Sequence, residues 1–275
     1  DEQLMALTSD ELLARIRSLS DYEPYVMYYG PETEAKLIAA LDAIHRTSQE
    51  LKPVRKVRFP LLTVDKSEVN VAQYDAKQLY YIQFSNLGKA FDVTADPEVT
   101  LYNEYFGGGM NSVVFQEMRE ARGLAYSAAA YIVEPGYADM NYGYKAFIAT
   151  QNDKMQTAIE AFDEIIENMP ESEAAFNIAK ESLLSRLRTE RTVKEQVLWS
   201  YLDLCDMGLT EDRDRQLFEK VQSMTLADVK AAQEKWVKGR KYVYGILGDI
   251  RDLDLNYLKT LGPIQTVSQE QLFGY

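Results

Sequence analysis

Histidine and cysteine are almost absent from this sequence: His45 and Cys205 are the only ones among 275 residues. Protein zinc sites are built from several His, Cys or acidic ligands, and the sequence has neither an H-x-x-E-H motif nor a cysteine pair. A catalytic Ser-His or Cys-His pair could form only at His45. The amphipathic pattern of the surrounding residues places His45 on a surface helix. One cysteine also excludes an intramolecular disulfide, so the redox compartment stays open.

Positive charge is also scarce. The chain has 30 Lys and Arg residues against 43 Asp and Glu residues, a net charge of −13. This balance argues against nucleic acid and anionic membrane surfaces as partners. No apolar run approaches the roughly 20 residues that span a bilayer, so we expect a soluble protein. The first residue is Asp1 rather than Met, which suggests a fragment or processed product whose targeting signal is missing. The localisation is therefore unknown.

A glycine-rich segment stands at the centre of the sequence. Its glycines are expected to end one helix and to allow a tight turn before the next, which Asn111 or Ser112 caps. Gly123 then ends this second helix in the left-handed conformation. A phosphate-binding loop would need Lys-Ser/Thr after the last glycine, but Met110 follows here. The three glycines are Gly107, Gly108 and Gly109.

Two side chains with possible chemistry flank Gly123. Arg119 lies in the last turn of the predicted helix, and Tyr126 opens the following strand seven residues later. A cation and a phenol are thus expected at one helix–strand junction. The residues alone leave another interpretation open, in which Arg119 meets the helix dipole and Tyr126 is a half-buried strand aromatic. Arg122 could meet the dipole equally well.

The remaining patterns predict an α+β fold: a two-layer domain with a largely antiparallel sheet and helices packed on one face. Asp96-Pro97-Glu98 has the order expected at a helix start. The predicted strands are 69–74, 78–84, 124–133, 140–150 and 242–247. The predicted helices are 8–19, 32–46, 96–106, 153–168, 173–191, 194–207, 211–221, 225–236 and 253–261.

The two ends of the chain resemble each other. A capping box at Thr8 opens a helix, and a predicted buried strand, Tyr25–Tyr29, follows at the distance that separates Thr225 from the strand at Tyr242. Such an internal repeat suggests that one domain finishes near the start of the chain and a similar one follows. The predicted division is 1–48, tail of a preceding domain; 49–58, linker; 59–265, complete domain; 266–275, tail.

The segment Tyr105-Phe-Gly-Gly-Gly-Met-Asn-Ser-Val-Val-Phe-Gln-Glu-Met-Arg-Glu-Ala-Arg-Gly-Leu-Ala-Tyr-Ser resembles the signature of the insulinase/pitrilysin family of zinc metallopeptidases, which includes mitochondrial processing peptidase. More narrowly, it is similar to the zinc-free domain that follows the catalytic one. The resemblance extends from residue 1 to about 262 and includes the closing strand that ends at Gly248-Asp249. It implies the mitochondrial-processing-peptidase-like fold.

The resemblance also implies a function. In this family two halves enclose an unfolded peptide; one half binds zinc through H-x-x-E-H, and the other supplies an Arg and a Tyr that hydrogen-bond the peptide backbone. Arg119 and Tyr126 match these positions, as substrate-binding residues that support the transition state. This chain lacks the zinc ligands, so it is expected to bind no metal and to be inactive alone. The implied partner is a zinc-binding catalytic half, in the same polypeptide or on another chain.

Two alternatives stay open. The chain could be a scaffold or peptide-binding subunit without a proteolytic role, which a full-length product or stable partner lacking H-x-x-E-H would favour. It could also bind zinc through carboxylates alone, although such sites suit magnesium or calcium better. Should acidic surfaces line the peptide chamber, a preference for basic peptides is expected.

Overall fold

The computed structural model describes residues 2–46, 50–54, 57–107 and 109–274. These residues form two units: a larger one, Pro60–Arg191 with Asp203–Gly274, and a smaller one that comprises the residues up to Phe59 and Thr192–Leu202. The predicted linker, 49–58, falls partly outside the described residues, and so does Gly108 with its expected role in the turn.

The helices are α1 (Glu2–Met5), α2 (Ser9–Ser18), α3 (Glu34–Ile44), α4 (Asp96–Phe106), α5 (Val113–Phe115), α6 (Met155–Glu167), α7 (Glu173–Thr189), α8 (Gln196–Asp206), α9 (Asp214–Ser223), α10 (Leu226–Ala232), α11 (Leu255–Leu261) and α12 (Gln269–Phe273). The strands are β1 (Glu68–Gln73), β2 (Gln78–Ala90), β3 (Ser127–Val133), β4 (Asn141–Gln151), β5 (Val243–Gly248) and β6 (Ile264–Val267). α5 and α10 continue as π-helical turns, Gln116–Ala121 and Gln233–Val237. Short 3₁₀ turns cover Leu19–Asp21, Val93–Ala95, Asn152–Lys154 and Ile250–Asp252.

In the smaller unit the first predicted helix is confirmed as α2. The Glu11 backbone N–H donates to the Thr8 hydroxyl, and the Thr8 backbone N–H donates to the Glu11 carboxylate at 2.7 Å. The predicted strand Tyr25–Tyr29 is wrong: the segment has no strand pairing, and Tyr25 is 77% exposed. An extended segment becomes a strand only when another strand accepts its backbone hydrogen bonds. An aromatic pattern alone does not reveal whether that partner exists.

The larger unit is built on a six-stranded sheet with the order β3-β4-β2-β5-β1-β6. The neighbours from β3 to β5 are antiparallel, whereas β1 lies parallel to both β5 and β6. This topology confirms the α+β prediction with its largely antiparallel sheet. β6 is missing from the predicted strands, because a four-residue edge strand has too few positions for an alternating pattern.

One face of the sheet carries the core. Along β2 the residues Leu79, Tyr81 and Leu87 are buried, while the alternating Ile82 on the opposite face is partly exposed. Helices cover the buried face, and burying one large apolar side chain contributes about 1.5–3 kcal/mol. The largest fully buried side chains are Trp236, Tyr81, Tyr102, Tyr105, Tyr142, Tyr144, Phe106 and Phe162.

A carboxyl pair bridged by one arginine holds the start of α4. The Arg213 guanidinium donates to Asp96 Oδ2 at 3.2 Å and to both carboxylate oxygens of Glu134 at 2.5 and 2.8 Å. Asp96 is buried, and its Oδ1 has no hydrogen-bond partner among the described residues. Burial, together with a hydrogen bond to Glu134, raises the pKa of Asp96 to about 7 despite the nearby guanidinium. Asp96 is therefore neutral in mildly acidic solution.

As the pH rises, we expect the unfolding free energy to fall less in Asp96→Asn than in the original chain. The folded pKa of Asp96 lies above its ordinary value of 3.8, so its stabilising contribution is complete below pH 3.8 and is lost as the pH rises through about 7. Between pH 5 and pH 8 this loss amounts to about 3 kcal/mol of unfolding free energy, because about two pH units separate pH 5 from the folded pKa of about 7 and each is worth about 1.4 kcal/mol. Urea unfolding at both pH values measures it. Glu219→Gln, an exposed acid on α9, is the control; equal pH dependence in Asp96→Asn and the original chain would contradict the expectation.

Candidate functional site

The glycine-rich turn places the end of α4 directly against β3. At Gly107 a Cβ would meet the carbonyl oxygen of Ala130 at 1.8 Å, so the backbones approach more closely than any side chain allows. The Asn103 side chain strengthens this contact by donating to the Ile132 carbonyl at 2.9 Å and accepting from the Ile132 N–H at 2.8 Å. The start of the next helix is thereby fixed relative to the sheet.

Of the two predicted capping residues, Asn111 and Ser112, Ser112 caps the helix. Its hydroxyl accepts a hydrogen bond from the Phe115 N–H at 3.4 Å. The helix it opens does not stay α-helical. The Arg122 N–H donates to the Glu117 carbonyl at 3.2 Å, five residues back, which is the π-helical pattern. Such wide turns occur frequently at functional sites, and the apolar spacing of the sequence predicts only an α-helix here.

The junction between helix and strand is tightly held. The Met118 carbonyl accepts hydrogen bonds from the N–H groups of both Leu124 and Ala125, at 2.8 and 3.1 Å. Gly123 lies in the chain between Met118 and these two residues. Its φ of +58° confirms the predicted left-handed conformation. Tyr126 then joins the sheet by donating its N–H to the Ala149 carbonyl at 2.9 Å. The positions of Arg119 and Tyr126 are therefore set by backbone bonds and not by a loose loop.

The structure brings Arg119 and Tyr126 together. The Arg119 guanidinium carbon lies 5.5 Å from the centroid of the Tyr126 ring and 5.0 Å from that of Phe115. A guanidinium over aromatic faces at this distance gains about 0.5–1 kcal/mol at exposed sites and is held in orientation. The sequence predicts Phe115 only as part of the apolar face of this helix, although its i, i+4 spacing from Arg119 is a signal that the two side chains meet.

Both side chains face solvent. Tyr126 is 70% exposed, so it is not the half-buried aromatic of the alternative interpretation. Among the described residues none hydrogen-bonds its hydroxyl, which leaves both a donor and an acceptor available to a ligand. The Arg119 side chain is 45% exposed, and its nearest acid, Glu120, lies at 3.7 Å.

Arg122 is in a different position. Its Nη1 donates to Glu164 at 2.7 Å and its Nε lies 3.4 Å from Glu117. The hydrogen bond to Glu164 raises the pKa of the Arg122 guanidinium. Arg122 thus ties the helix end to α6 through paired charges, whereas the donors of Arg119 are turned to a stacked, open surface. Of the two arginines, Arg119 is the one that can bind a ligand.

A small pocket adjoins Tyr126. It has a volume of about 260 Å³ and is lined by residues 123–126 together with residues of β2 and β4 and with Lys154, which immediately precedes α6. Lys154 closes one side by donating its Nζ to the Gly123 carbonyl at 3.3 Å. The pattern of the sequence gave no sign of this pocket, because its walls come from three distant segments.

The described residues do not suit a zinc ion. Nowhere among them do three His, Cys, Asp or Glu side chains gather closely enough to hold a metal. His45 is exposed at the end of α3, and Cys205 is exposed on α8. Within the same residues, no helix is long and apolar enough to cross a membrane.

Comparisons with known proteins bear on the family and the fold of the chain. A family model described as the peptidase M16 inactive domain matches residues 24–183. A solved structure of a peptidase M16 inactive domain from Pseudomonas fluorescens is 19% identical, with a TM-score of 0.59 over 78% of this chain and 50% of its own. A protease from Helicobacter pylori is 14% identical, with a TM-score of 0.62 over 90% of this chain and 60% of its own.

A third solved structure contains the ferredoxin protease FusC in complex with Arabidopsis ferredoxin. It is 15% identical, with a TM-score of 0.62 over 90% of this chain and 27% of its own length. No curated protein matches the chain. At these identities the solved structures show the fold alone, and the chain spans about half the length of the first of them.

Proposed function

We propose, from the premise that this chain belongs to the peptidase M16 family and carries its inactive domain, that it is the zinc-free, substrate-binding half of a zinc metalloendopeptidase. In this proposal an unfolded peptide lies between this chain and a catalytic half that carries H-x-x-E-H. The zinc and the water it activates belong to that other half. The residues of this chain bind and orient the peptide.

The observation that carries the proposal is the stacked pair at the helix–strand junction. A guanidinium offers five N–H donors in a fixed fork, and the stacking of Arg119 on Phe115 and Tyr126 holds that fork in one orientation. Peptide carbonyl oxygens of an extended substrate are the acceptors such a fork suits. Binding energy gained here would place the peptide in register with a catalytic group on the facing half.

Tyr126 has the second role. Its exposed hydroxyl can donate to a peptide carbonyl oxygen, and this bond strengthens as negative charge builds on the oxygen during attack by water. The backbone bonds from Met118 and Ala149 keep the ring in place before substrate arrives. A pre-positioned donor costs no reorganisation in the transition state, so Tyr126 would contribute to turnover more than to binding.

We extend the proposal to the domain division predicted from the sequence. Residues 1–48 would complete a preceding family domain, with 49–58 as linker, 59–265 as the zinc-free domain and 266–275 as a tail. The apolar side chains Leu12, Leu13 and Ile16 of α2 are 49, 46 and 61% exposed, as expected of a helix whose apolar side belongs against further chain. A solved structure of which this chain covers only 50% is consistent with such a neighbour.

The test is an assay of the complete gene product on a quenched, unstructured peptide, with and without a zinc chelator. We expect chelator-sensitive cleavage that falls at least tenfold in Arg119→Ala, mainly through weaker peptide binding. Arg122→Ala is the matched control: it removes a guanidinium from the same helix end, yet one engaged with Glu164 and Glu117, and should leave binding within about twofold.

The same assay separates the alternative function. Peptide binding without cleavage in any preparation would identify a peptide-binding scaffold, and the absence of both would leave a structural subunit. Equal losses in Arg119→Ala and Arg122→Ala would contradict the assigned role of Arg119, because a general disturbance of the helix end would then explain them.

A further inference from the structure

The geometry points to a specificity subsite in this chain: the pocket beside Tyr126 takes one carboxylate-bearing side chain of the peptide, with Lys154 as its cationic partner. The inference rests on the proposed function, since it concerns the peptide that Arg119 and Tyr126 would hold. It adds a substrate preference, for aspartate or glutamate at one position, to a half that otherwise contacts only the backbone.

The size of the pocket fits a single side chain. Its volume of about 260 Å³ lies below the roughly 300–1,000 Å³ of sites that enclose whole small molecules. Tyr126 forms part of its wall, so a peptide bound to the Tyr126 hydroxyl has one of its side chains within reach of the pocket.

The charge of the pocket is one-sided. Among the described residues that line it, Lys154 is the only charged one. Its bond to the Gly123 carbonyl uses one of three N–H donors and holds the ammonium group at the pocket, which leaves two donors for a ligand. The Thr150 hydroxyl is already engaged with the Leu124 carbonyl at 2.5 Å. Gln78 and Gln151, the remaining polar side chains, are neutral.

The position of Lys154 reinforces this preference. Lys154 immediately precedes the thirteen-residue helix α6, so the partial positive charge at the N-terminus of this helix adds to the charge of the Lys154 ammonium group. Two acids, Asp153 and Asp252, line the adjoining pocket, which shares Gln151 with this one and also includes Lys77. The subsite is thus a local exception in a chain with a net charge of −13, which taken as a whole favours basic peptides.

The experiment measures fluorescence anisotropy of labelled, unstructured peptides on the complete gene product with zinc removed, so that peptides bind without cleavage. Each peptide carries Glu or Gln at one successive position of an otherwise neutral sequence. At low ionic strength we expect one position at which Glu binds about 3- to 10-fold more tightly than Gln. The preference should vanish in Lys154→Gln, reverse in Lys154→Glu, and persist in the control Lys77→Gln.

The outcomes distinguish the two proposals. If the neutral peptide binds but Glu and Gln are equal at every position, the subsite is wrong and the proposed function stands. A Glu preference that survives Lys154→Gln overturns the assignment to Lys154. If none of the peptides binds and none is cleaved by the zinc-loaded product, the proposed function fails and the subsite with it.

Discussion

Replacing Tyr126 with phenylalanine is expected to lower the turnover number of the proposed peptidase assembly about 100- to 1,000-fold, the usual effect of losing one oxyanion donor. The substitution removes only the hydroxyl. The ring that remains keeps its contact with the Arg119 guanidinium, 5.5 Å from its centroid, because a cation is attracted to the face of phenylalanine as well. Peptide binding should therefore change no more than a few-fold, and steady-state kinetics separate the two quantities.

Tyr131→Phe is the matched control for this variant. Tyr131 lies on β3, the strand that begins directly after Tyr126, and is also exposed, at 38%, but it contacts neither Arg119 nor the pocket. Its hydroxyl should be dispensable for turnover. If Tyr126→Phe kept full turnover in a preparation whose cleavage is sensitive to zinc chelation, Tyr126 would have no part in stabilising the transition state.

The second large effect concerns stability. Gly107→Ala is expected to destabilise the fold by at least about 3 kcal/mol, the upper range of overpacking substitutions. The added methyl group would lie 1.8 Å from the Ala130 carbonyl oxygen and 2.8 Å from the Ala130 nitrogen. Both atoms belong to the backbone of β3, so relief requires the end of α4 to separate from the sheet. That movement would also stretch both bonds between Asn103 and Ile132.

Two neighbouring glycines make this a graded series in urea unfolding. A Cβ at Gly109 would meet nothing within 4 Å, so Gly109→Ala should change stability by less than about 0.5 kcal/mol. Gly123 also has open space but a φ of +58°, so Gly123→Ala should cost about 1–2 kcal/mol through backbone strain alone. If Gly107→Ala were as mild as Gly109→Ala, the close approach to β3 would not limit stability.

Much of the larger unit could be predicted from the sequence because local patterns decide it. The capping box at Thr225, the proline at the start of α4 and the alternation in β1 all produce the expected elements. The predicted strand Tyr25–Tyr29 is wrong because a strand forms only with a pairing partner elsewhere in the chain, which local patterns do not show. β6 depends on β1 in the same way.

In the candidate site, too, the sequence predicts the features that local spacing decides and misses those that depend on packing. The sequence places Arg119 and Tyr126 at one junction, because seven residues with a glycine between them span a helix end and a strand start. It does not show the approach of Lys154, which depends on how α6 packs, whereas the i, i+4 spacing of Phe115 and Arg119 is a signal of their stacking. The resemblance to the insulinase/pitrilysin family implies a role for Arg119 and Tyr126, and the match to the family model confirms the family of the chain.

The π-helical turn Gln116–Ala121 has a consequence for how such domains could change over generations. The turn accommodates an extra residue relative to an α-helix, so the loss of a single codon within it could be absorbed by a return to regular α-helix. One residue corresponds to about 100° of rotation around the helix axis, given 3.6 residues per turn. If the lost codon precedes that of Arg119, the shortened helix still packs but the Arg119 guanidinium points away from Tyr126. A lineage could in this way lose the proposed peptide-binding arrangement in one mutational step and keep its architecture.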